Sequence, residues 1–188
     1  MPSDSRHGRT EIVSILGALC LFLSAIEYLI PKPLPFFRLG LANLPLLLGL
    51  LFLRPADLLL VLLLKVLGQG LVNGTLASYV FLFSLAGSVA SLAAMSLVHR
   101  LGRRSVSLIG VSVFGAMASS VVQIVLAVTF IFGSTAKLIA PFSLGSGLAT
   151  GLLIGWFAER FIARSEWLRA VEARYRADCG DGAEERYP

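Results

Sequence analysis

The chain has 188 residues, of which 56% are hydrophobic and 14% are charged, and its formal net charge is +5. Soluble domains carry about a quarter charged residues, so this composition excludes an ordinary soluble domain. The apolar residues form stretches of about 20, the length that spans a hydrocarbon core as a helix. We therefore predict an integral membrane protein in contact with lipid. Because the basic residues lie at segment ends, topology explains the positive charge better than nucleic-acid binding does.

Six transmembrane helices are predicted in chain order. The first covers about residues 11–30 and ends at the loop 31–35, because the three prolines there cannot continue a helix. The others cover about residues 37–53, 56–72, 75–101, 105–132 and 136–163, with Pro45 a candidate kink in the second. An alternative count merges or drops the short second or third segment. From Arg164 onward the chain is polar, and we predict a short helical tail on the membrane surface or in water.

Lysine and arginine residues are distributed unequally between the two sides of this predicted bundle. With six helices, twelve fall on the side of both chain ends, and three fall on the other side, at Lys32, Arg38 and Lys137. Because basic loops stay in the cytoplasm, both termini are predicted to be cytoplasmic. The predicted domains are a cytoplasmic amino terminus, a six-helix transmembrane domain and a polar cytoplasmic tail, at residues 1–10, 11–163 and 164–188.

Strongly polar residues within the predicted helices gather toward the predicted outer side. Helix three carries Lys65, Gln69 and Asn73 at spacing i, i+4, i+8, which places them on one face. A Lys or Arg at mid-membrane costs about 2.5–3.5 kcal/mol, so such groups normally face a protein interior or a cavity. We predict an outward-facing, net-positive cavity for a small anionic or carbonyl-rich ligand, lined by Glu27, Arg38, Asn43, Lys65, Gln69, Asn73, Gln123 and Lys137.

Several of these residues also have a simpler interpretation. Arg38 and Lys137 can extend their long side chains to the outer headgroups. Glu27 can form a purely structural ion pair with Lys65 or Arg38, and Gln123 can hydrogen-bond to a neighbouring helix. The polar face of helix three is the hardest feature to explain without a binding site.

Small residues recur at four-residue spacing in three of the predicted helices. These are Gly147, Gly151 and Gly155 in helix six, Ala86, Ala90 and Ala94 in helix four, and Ser14 and Ala18 in helix one. Such spacing lets helix backbones approach closely, so packing inside the bundle is one interpretation. The other is a docking face for a second membrane subunit, and Ser14 and Ala18 are the candidates for it.

The sequence lacks the motifs of several enzyme classes. It has no Walker A sequence for ATP hydrolysis and no cluster of aspartates for binding magnesium diphosphate. His7 and His99 stand apart, without metal-ligand spacing. We therefore predict that the chain is not an enzyme and that it holds neither a metal nor a cofactor.

A family resemblance rests on three parts of the sequence: residues 27–31 with 38–43 (EYLIP and RLGLAN), 65–70 (KVLGQG) and 85–88 (LAGS). Together they resemble the bacterial Gx transporter family, which is also labelled heptaprenyl diphosphate synthase component I. The likeness covers about residues 11–163. That family is similar to the substrate-binding S-components of energy-coupling-factor transporters, which are six-helix bundles with cytoplasmic termini.

The resemblance implies a substrate-binding subunit of a small-molecule uptake transporter in the bacterial cytoplasmic membrane. Residues 31–37 would form a lid over the site, and a coupling membrane subunit with ATPases would dock at Ser14 and Ala18. The synthase label implies the alternative, a non-catalytic accessory subunit that serves a separate prenyltransferase. A membrane anchor within a redox or flavin-handling assembly is a third possibility.

Overall fold

The architecture is all-helical over the part of the chain that the structure, a computed structural model, describes: residues 4–29, 40–72, 74–102, 106–132 and 140–179. Its helices, in chain order, are α1 (Asp4–Leu29), α2 (Leu44–Gly49), α3 (Pro55–Val72), α4 (Tyr79–Gly102), α5 (Leu108–Ala127), α6 (Ala140–Arg164) and α7 (Glu166–Cys179). A 3₁₀ turn precedes α2 at Leu41–Asn43, and a π-helical turn extends α5 at Val128–Phe132. The predicted all-α membrane class is confirmed.

Five of these helices, α1, α3, α4, α5 and α6, are long and apolar enough to cross a membrane. The second predicted segment, α2, is shorter than the predicted range 37–53, because its regular turns run only from Leu44 to Gly49. Six helical residues rise about 9 Å, far less than a hydrocarbon core of about 30 Å. Pro45 lies in the first turn of α2, where proline starts a helix, so the predicted kink is wrong. The chain is a multi-pass membrane protein whose short α2 is buried in the bundle.

The side chains are arranged as expected for a protein surrounded by lipid. Phe22, Leu71 and Leu153 are each more than 60% exposed. In contrast, Lys65 and Gln69 are 4% and 7% exposed. A soluble protein shows the reverse preference, whereas a polar group at membrane depth faces the protein interior. The helices therefore carry their polar residues into a shared interior.

A row of glycines brings α6 into close contact with α5. Gly147, Gly151 and Gly155 are buried. A Cβ atom on Gly155 would lie 2.5 Å from the Cα atom of Ile109, and one on Gly151 would lie 2.9 Å from the Cα atom of Val113. Because only glycine fits at such backbone distances, this series serves packing inside the bundle, the first of the two interpretations given above.

The amino terminus of α5 is held by two side chains. The Ser107 hydroxyl accepts a hydrogen bond from the Gly110 amide at 3.2 Å. The Glu159 carboxylate of α6 accepts one from the Ile109 amide at 3.4 Å. Both satisfy amides that have no partner within the helix, and the carboxylate also interacts favourably with the helix dipole. These contacts fix where α5 begins.

We expect Ser107→Ala to lower the free energy of unfolding by about 1 kcal/mol, because it removes the capping oxygen of α5. Ser107→Asp keeps an acceptor at the same position and should retain nearly all of the stability. Unfolding in mixed micelles, followed by SDS titration, measures both variants. Equal losses in the two would show that the hydroxyl cap does not contribute.

The residues after α6 form a seventh helix, as predicted for the tail, and this helix packs against the bundle. Leu168 of α7 is 3% exposed and belongs to the same apolar cluster as Ile12 of α1. On α6, the Arg160 guanidinium lies 5.1 Å from the ring centre of Trp156, a cation–π contact. The side on which α1 begins and α6 ends, called the terminal side below, is thus partly covered by α7.

Candidate functional site

A polar cavity lies between the α1–α3 part of the bundle and the α4–α6 part. It is lined by residues from every helix from α1 to α6, and its volume is about 40 Å³. The polar cavity is defined by its polar lining residues, Glu27, Asn43, Lys65, Gln69, Ser84, Ser88, Ser91, Ser112, Ser119, Ser120, Gln123 and Thr150. This volume is well below the roughly 300–1,000 Å³ of typical small-molecule sites and leaves room for a small polar group or a few water molecules.

Lys65 connects three elements around the polar cavity. Its ammonium group donates hydrogen bonds to the Asn43 side-chain oxygen and, at 3.0 Å, to the Ser88 hydroxyl. Asn43 ends the 3₁₀ turn before α2, and Ser88 lies on α4. Placing an ammonium group in a bundle interior is costly, and it is compensated only where acceptors surround it. Lys65 therefore places a basic group beside the cavity.

Two glutamine side chains extend the polar lining on either side of Lys65. The Gln69 carbonyl oxygen, one turn along α3, accepts a hydrogen bond from the Ser84 hydroxyl at 3.3 Å. On α5, the Gln123 amide donates to the Ser119 hydroxyl at 3.1 Å. Each carboxamide offers both a donor and an acceptor. The cavity can thus hold several kinds of polar group at different depths.

The two ionisable side chains among the described lining residues carry opposite charges. Glu27 and Lys65 are 3% and 4% exposed, and both face the polar cavity. Their formal charges cancel, so this part of the lining has no net charge. The predicted excess of positive charge depends on Arg38 and Lys137, which lie outside the described residues.

The structure brings five of the eight predicted binding residues together: Glu27, Asn43, Lys65, Gln69 and Gln123. They come from four separate stretches of sequence, and the helix contacts place them around one space. Arg38, Asn73, Lys137 and the predicted lid at residues 31–37 lie outside the described residues.

The two predicted docking residues lie on the outside of the bundle. Ser14 and Ala18 are both exposed on α1, near the exposed Phe22. Gly17, between them, is buried, and a Cβ atom there would lie 3.0 Å from Leu64 Cδ1. The face with Ser14 and Ala18 is therefore available to lipid or to a partner, and its docking role stays a prediction.

The hydroxyl groups of the lining were missed by the sequence reasoning. Ser84, Ser88 and Ser91 lie on one face of α4, at spacing i, i+4, i+7, and Ser112 lies on the facing side of α5. The spacing was a usable signal. It is weak, because a serine in a membrane helix often bonds to a carbonyl of its own helix and faces any direction.

The polar cavity is also deeper than predicted. The sequence reasoning placed the site in the outer half of the membrane, because that half holds the ionisable groups. The structure extends the lining to Met95, Ser112 and Ile154, which lie in the half of α4, α5 and α6 nearer the terminal side. The predicted outward-facing site stays a prediction, and the part of the cavity nearer the terminal side is lined by hydroxyl and apolar groups.

These features define a polytopic helical membrane protein with a polar cavity inside its bundle. Over residues 16–161, the chain matches the family described as heptaprenyl diphosphate synthase component I. The match covers most of the chain, so the chain belongs to that family, as its resemblance indicated. No curated protein and no solved structure matches the chain, and the similarity to S-components of energy-coupling-factor transporters stays a prediction.

The family description bears on two further predictions. The description names one component of heptaprenyl diphosphate synthase, which is consistent with the prediction that the chain is not itself an enzyme. The name also implies a partner prenyltransferase subunit.

Proposed function

We propose that this chain is a non-catalytic membrane subunit that binds a small polar ligand in the polar cavity. The observation that carries the proposal is the placement of Lys65, 4% exposed and hydrogen-bonded to Asn43 and Ser88 at the wall of that cavity. A bundle that needed only packing would be more stable with an apolar residue there, because a buried ammonium group costs more to desolvate than its hydrogen bonds return.

The lining favours a ligand with several hydrogen-bonding groups. Lys65 offers charge-assisted donors, Glu27 offers acceptors, and Gln69 and Gln123 offer both. Charge-assisted hydrogen bonds are the strongest of these, so an anionic or carbonyl oxygen of the ligand would lie nearest Lys65. Any excess of positive charge toward an anionic ligand would come from Arg38 and Lys137, as the sequence predicts.

Substrate capture for a small-molecule uptake transporter is one function for such a subunit. The ligand would enter from the predicted outer side, where Glu27 and the short turn before α2 line the polar cavity. A separate coupling subunit with ATPases would supply the energy, since the sequence holds no Walker A motif. The polar cavity supports this function.

An accessory role in prenyl diphosphate synthesis is the second function. The family match over residues 16–161 supports this accessory role directly. The match supports the accessory role more than it supports the transporter role. In this role the chain would hold a separate prenyltransferase at the membrane, and the polar cavity would bind a polar group of a substrate or product. The bacterial cytoplasmic membrane is the proposed location for either role.

A mild-detergent purification of the tagged protein from its native membranes separates the two functions. Mass spectrometry of the co-purifying proteins identifies the partner. A prenyltransferase without ATPases would support the accessory role, and a membrane subunit with two ATPases would support the transporter role. Reproducible recovery of neither would contradict the proposal that the chain is a subunit.

The same purification tests the docking face on α1. We expect Ala18→Leu to reduce partner recovery at least fivefold, because a larger side chain separates two closely packed helices. Ala93→Leu is the matched control, since Ala93 is an exposed alanine on α4. Equal recovery with both variants would show that the partner docks elsewhere.

A further inference from the structure

The sequence contains two tryptophans, and both lie close to the junction of α6 and α7. Trp156 is in the last third of α6 and is 52% exposed, and Trp167 is in the first turn of α7 and is 43% exposed. Tryptophan is enriched where a membrane meets water, because its ring is apolar and its N–H is polar. The two rings therefore mark this stretch as the part of the chain that passes from hydrocarbon to headgroups.

The length and charge of α6 place its end among the headgroups. The helix has 25 residues, which rise about 37 Å. A hydrocarbon core is about 30 Å thick, and the bilayer with its headgroups is about 40–45 Å thick. Because the charged residues of α6, Glu159, Arg160 and Arg164, all lie in its last two turns, the excess length falls at this end. These turns therefore lie at headgroup level on the terminal side.

One face of α6 carries an aromatic ring followed by two guanidinium groups. Trp156, Arg160 and Arg164 are spaced i, i+4, i+8, so they share one face, which we call the basic face. Both arginines are exposed, and the cation–π contact described above holds the Arg160 guanidinium over the Trp156 ring. A guanidinium group matches the oxygens of a phosphate with two parallel hydrogen bonds. The basic face thus presents phosphate-binding groups next to an apolar ring.

The start of α7 places the second ring beside the end of the basic face. The Ser165 hydroxyl accepts a hydrogen bond from the Leu168 amide at 3.1 Å and caps α7. The buried Leu168 holds this first turn against the bundle. Trp167 is three residues from Arg164, so their Cα atoms are at most about 11 Å apart. The fold therefore keeps both rings close to the two guanidinium groups.

The exposed charges of this stretch favour an anionic partner. Among the exposed side chains of residues 156–171, the charged ones are Arg160, Arg164, Arg169 and Glu166, an excess of two positive charges. The half-buried Glu159 is bonded to the amide of α5 described above. Anionic lipid headgroups attract basic residues that lie near a membrane surface. A free anion would use only the charge, whereas a phospholipid also offers acyl chains to the exposed rings beside it.

We propose that the basic face binds an anionic phospholipid at the terminal side. Arg160 and Arg164 hold its phosphate, and Trp156 and Trp167 contact the upper part of its acyl chains. This lipid site lies on the outside of the bundle and uses none of the residues that line the polar cavity. Its test is therefore independent of the ligand site proposed above.

The two tryptophans report on this contact directly, because bromine on a lipid chain quenches the fluorescence of an indole ring that touches it. The full-length protein is reconstituted in phosphatidylcholine vesicles. An equal mole fraction of brominated phosphatidylglycerol or of brominated phosphatidylcholine is included, and the relative affinity for the two lipids is obtained from the quenching. We expect at least a fivefold preference for phosphatidylglycerol, since each basic residue near an anionic surface contributes about fivefold.

Substitution of the two arginines tests the basic face itself. Arg160→Gln combined with Arg164→Gln should lower the preference at least fivefold, whereas Arg160→Lys combined with Arg164→Lys keeps both charges and should retain most of it. Arg100→Gln is the matched control, since Arg100 is an exposed arginine in the last turn of α4, and it should leave the preference unchanged. Size-exclusion chromatography checks that each variant is folded.

Three results would overturn the proposal. The first is equal quenching of the wild-type protein by the two lipids. The second is a preference in the double glutamine variant that equals that of the wild type or of the Arg100→Gln control. The third is loss of the preference when inorganic phosphate is added at constant ionic strength, because the basic face would then bind phosphate from any source. A preference that persists in phosphate and disappears with the two arginines would support the lipid site.

Discussion

Replacement of Gly155 by alanine is expected to lower the free energy of unfolding by about 2–3 kcal/mol, the upper part of the range for overpacked sites. A Cβ atom at this position would lie 2.5 Å from the Cα atom of Ile109. Because the obstacle is backbone rather than a flexible side chain, α5 and α6 must move apart along their contact. That movement loosens the packing that holds the second half of the bundle together.

Gly145→Ala is the matched control for this prediction. Gly145 lies on the same helix, and a Cβ atom there would have no heavy atom within 4 Å. Alanine is a better helix former than glycine by about 1 kcal/mol, so this variant should be as stable as the parent or more stable. SDS titration in mixed micelles measures both. Equal losses in the two variants would show that the close α5–α6 contact does not stabilise the protein.

The spanning helices could be predicted from the sequence because lipid imposes a simple condition on it. A segment that crosses the membrane needs about 20 apolar residues in succession, and α1, α3, α4, α5 and α6 each meet this condition. The second segment could not be placed in the same way. Its run from Leu44 to Leu53 is apolar throughout, and apolar content alone does not distinguish a spanning helix from a short helix buried in protein.

The candidate site could be predicted where its groups are costly to bury. Lys65 and Gln69 are four residues apart on one helix, so their shared face follows from helix geometry, and their burial cost requires a polar surrounding. Glu27, Asn43 and Gln123 could be added for the same reason. The serines gave only a weak signal through their spacing, since a hydroxyl costs less to bury and often bonds to a carbonyl of its own helix.

The function itself could not be reached from burial costs. The same polar cavity serves a subunit that captures a solute and a subunit that presents a ligand to an enzyme, because both need a fixed charge and hydrogen-bonding groups inside a bundle. The two functions differ in the partner of the subunit. The exposed surface of α1 with Ser14 and Ala18 does not identify that partner, because it can contact lipid or a partner under either function. The decisive information therefore lies in the assembly rather than in this chain.

Replacement of Lys65 by methionine is expected to reduce ligand binding by about 10- to 100-fold, which corresponds to the 1.5–3 kcal/mol of a hydrogen bond to a charged group. Methionine has a similar length and no charge, so Asn43 and Ser88 lose their donor while the packed volume is nearly kept. The small molecules that co-purify with the protein in mild detergent, quantified by mass spectrometry, measure the effect. Leu63→Met is the matched control, since Leu63 is 43% exposed on the lipid-facing side of α3.

The variant is expected to fold, because methionine of similar volume adds no cavity, but with some loss of stability, because the buried acidic Glu27 lines the same cavity. Size-exclusion chromatography of both variants checks this expectation. Loss of a co-purifying molecule in Lys65→Met, but not in Leu63→Met, would assign the buried ammonium group to ligand binding. The same molecule in equal amount in wild-type protein and both variants would contradict that assignment. In that case the hydrogen bonds from Lys65 to Asn43 and Ser88 would serve only to hold α3 against α4 and against the turn before α2.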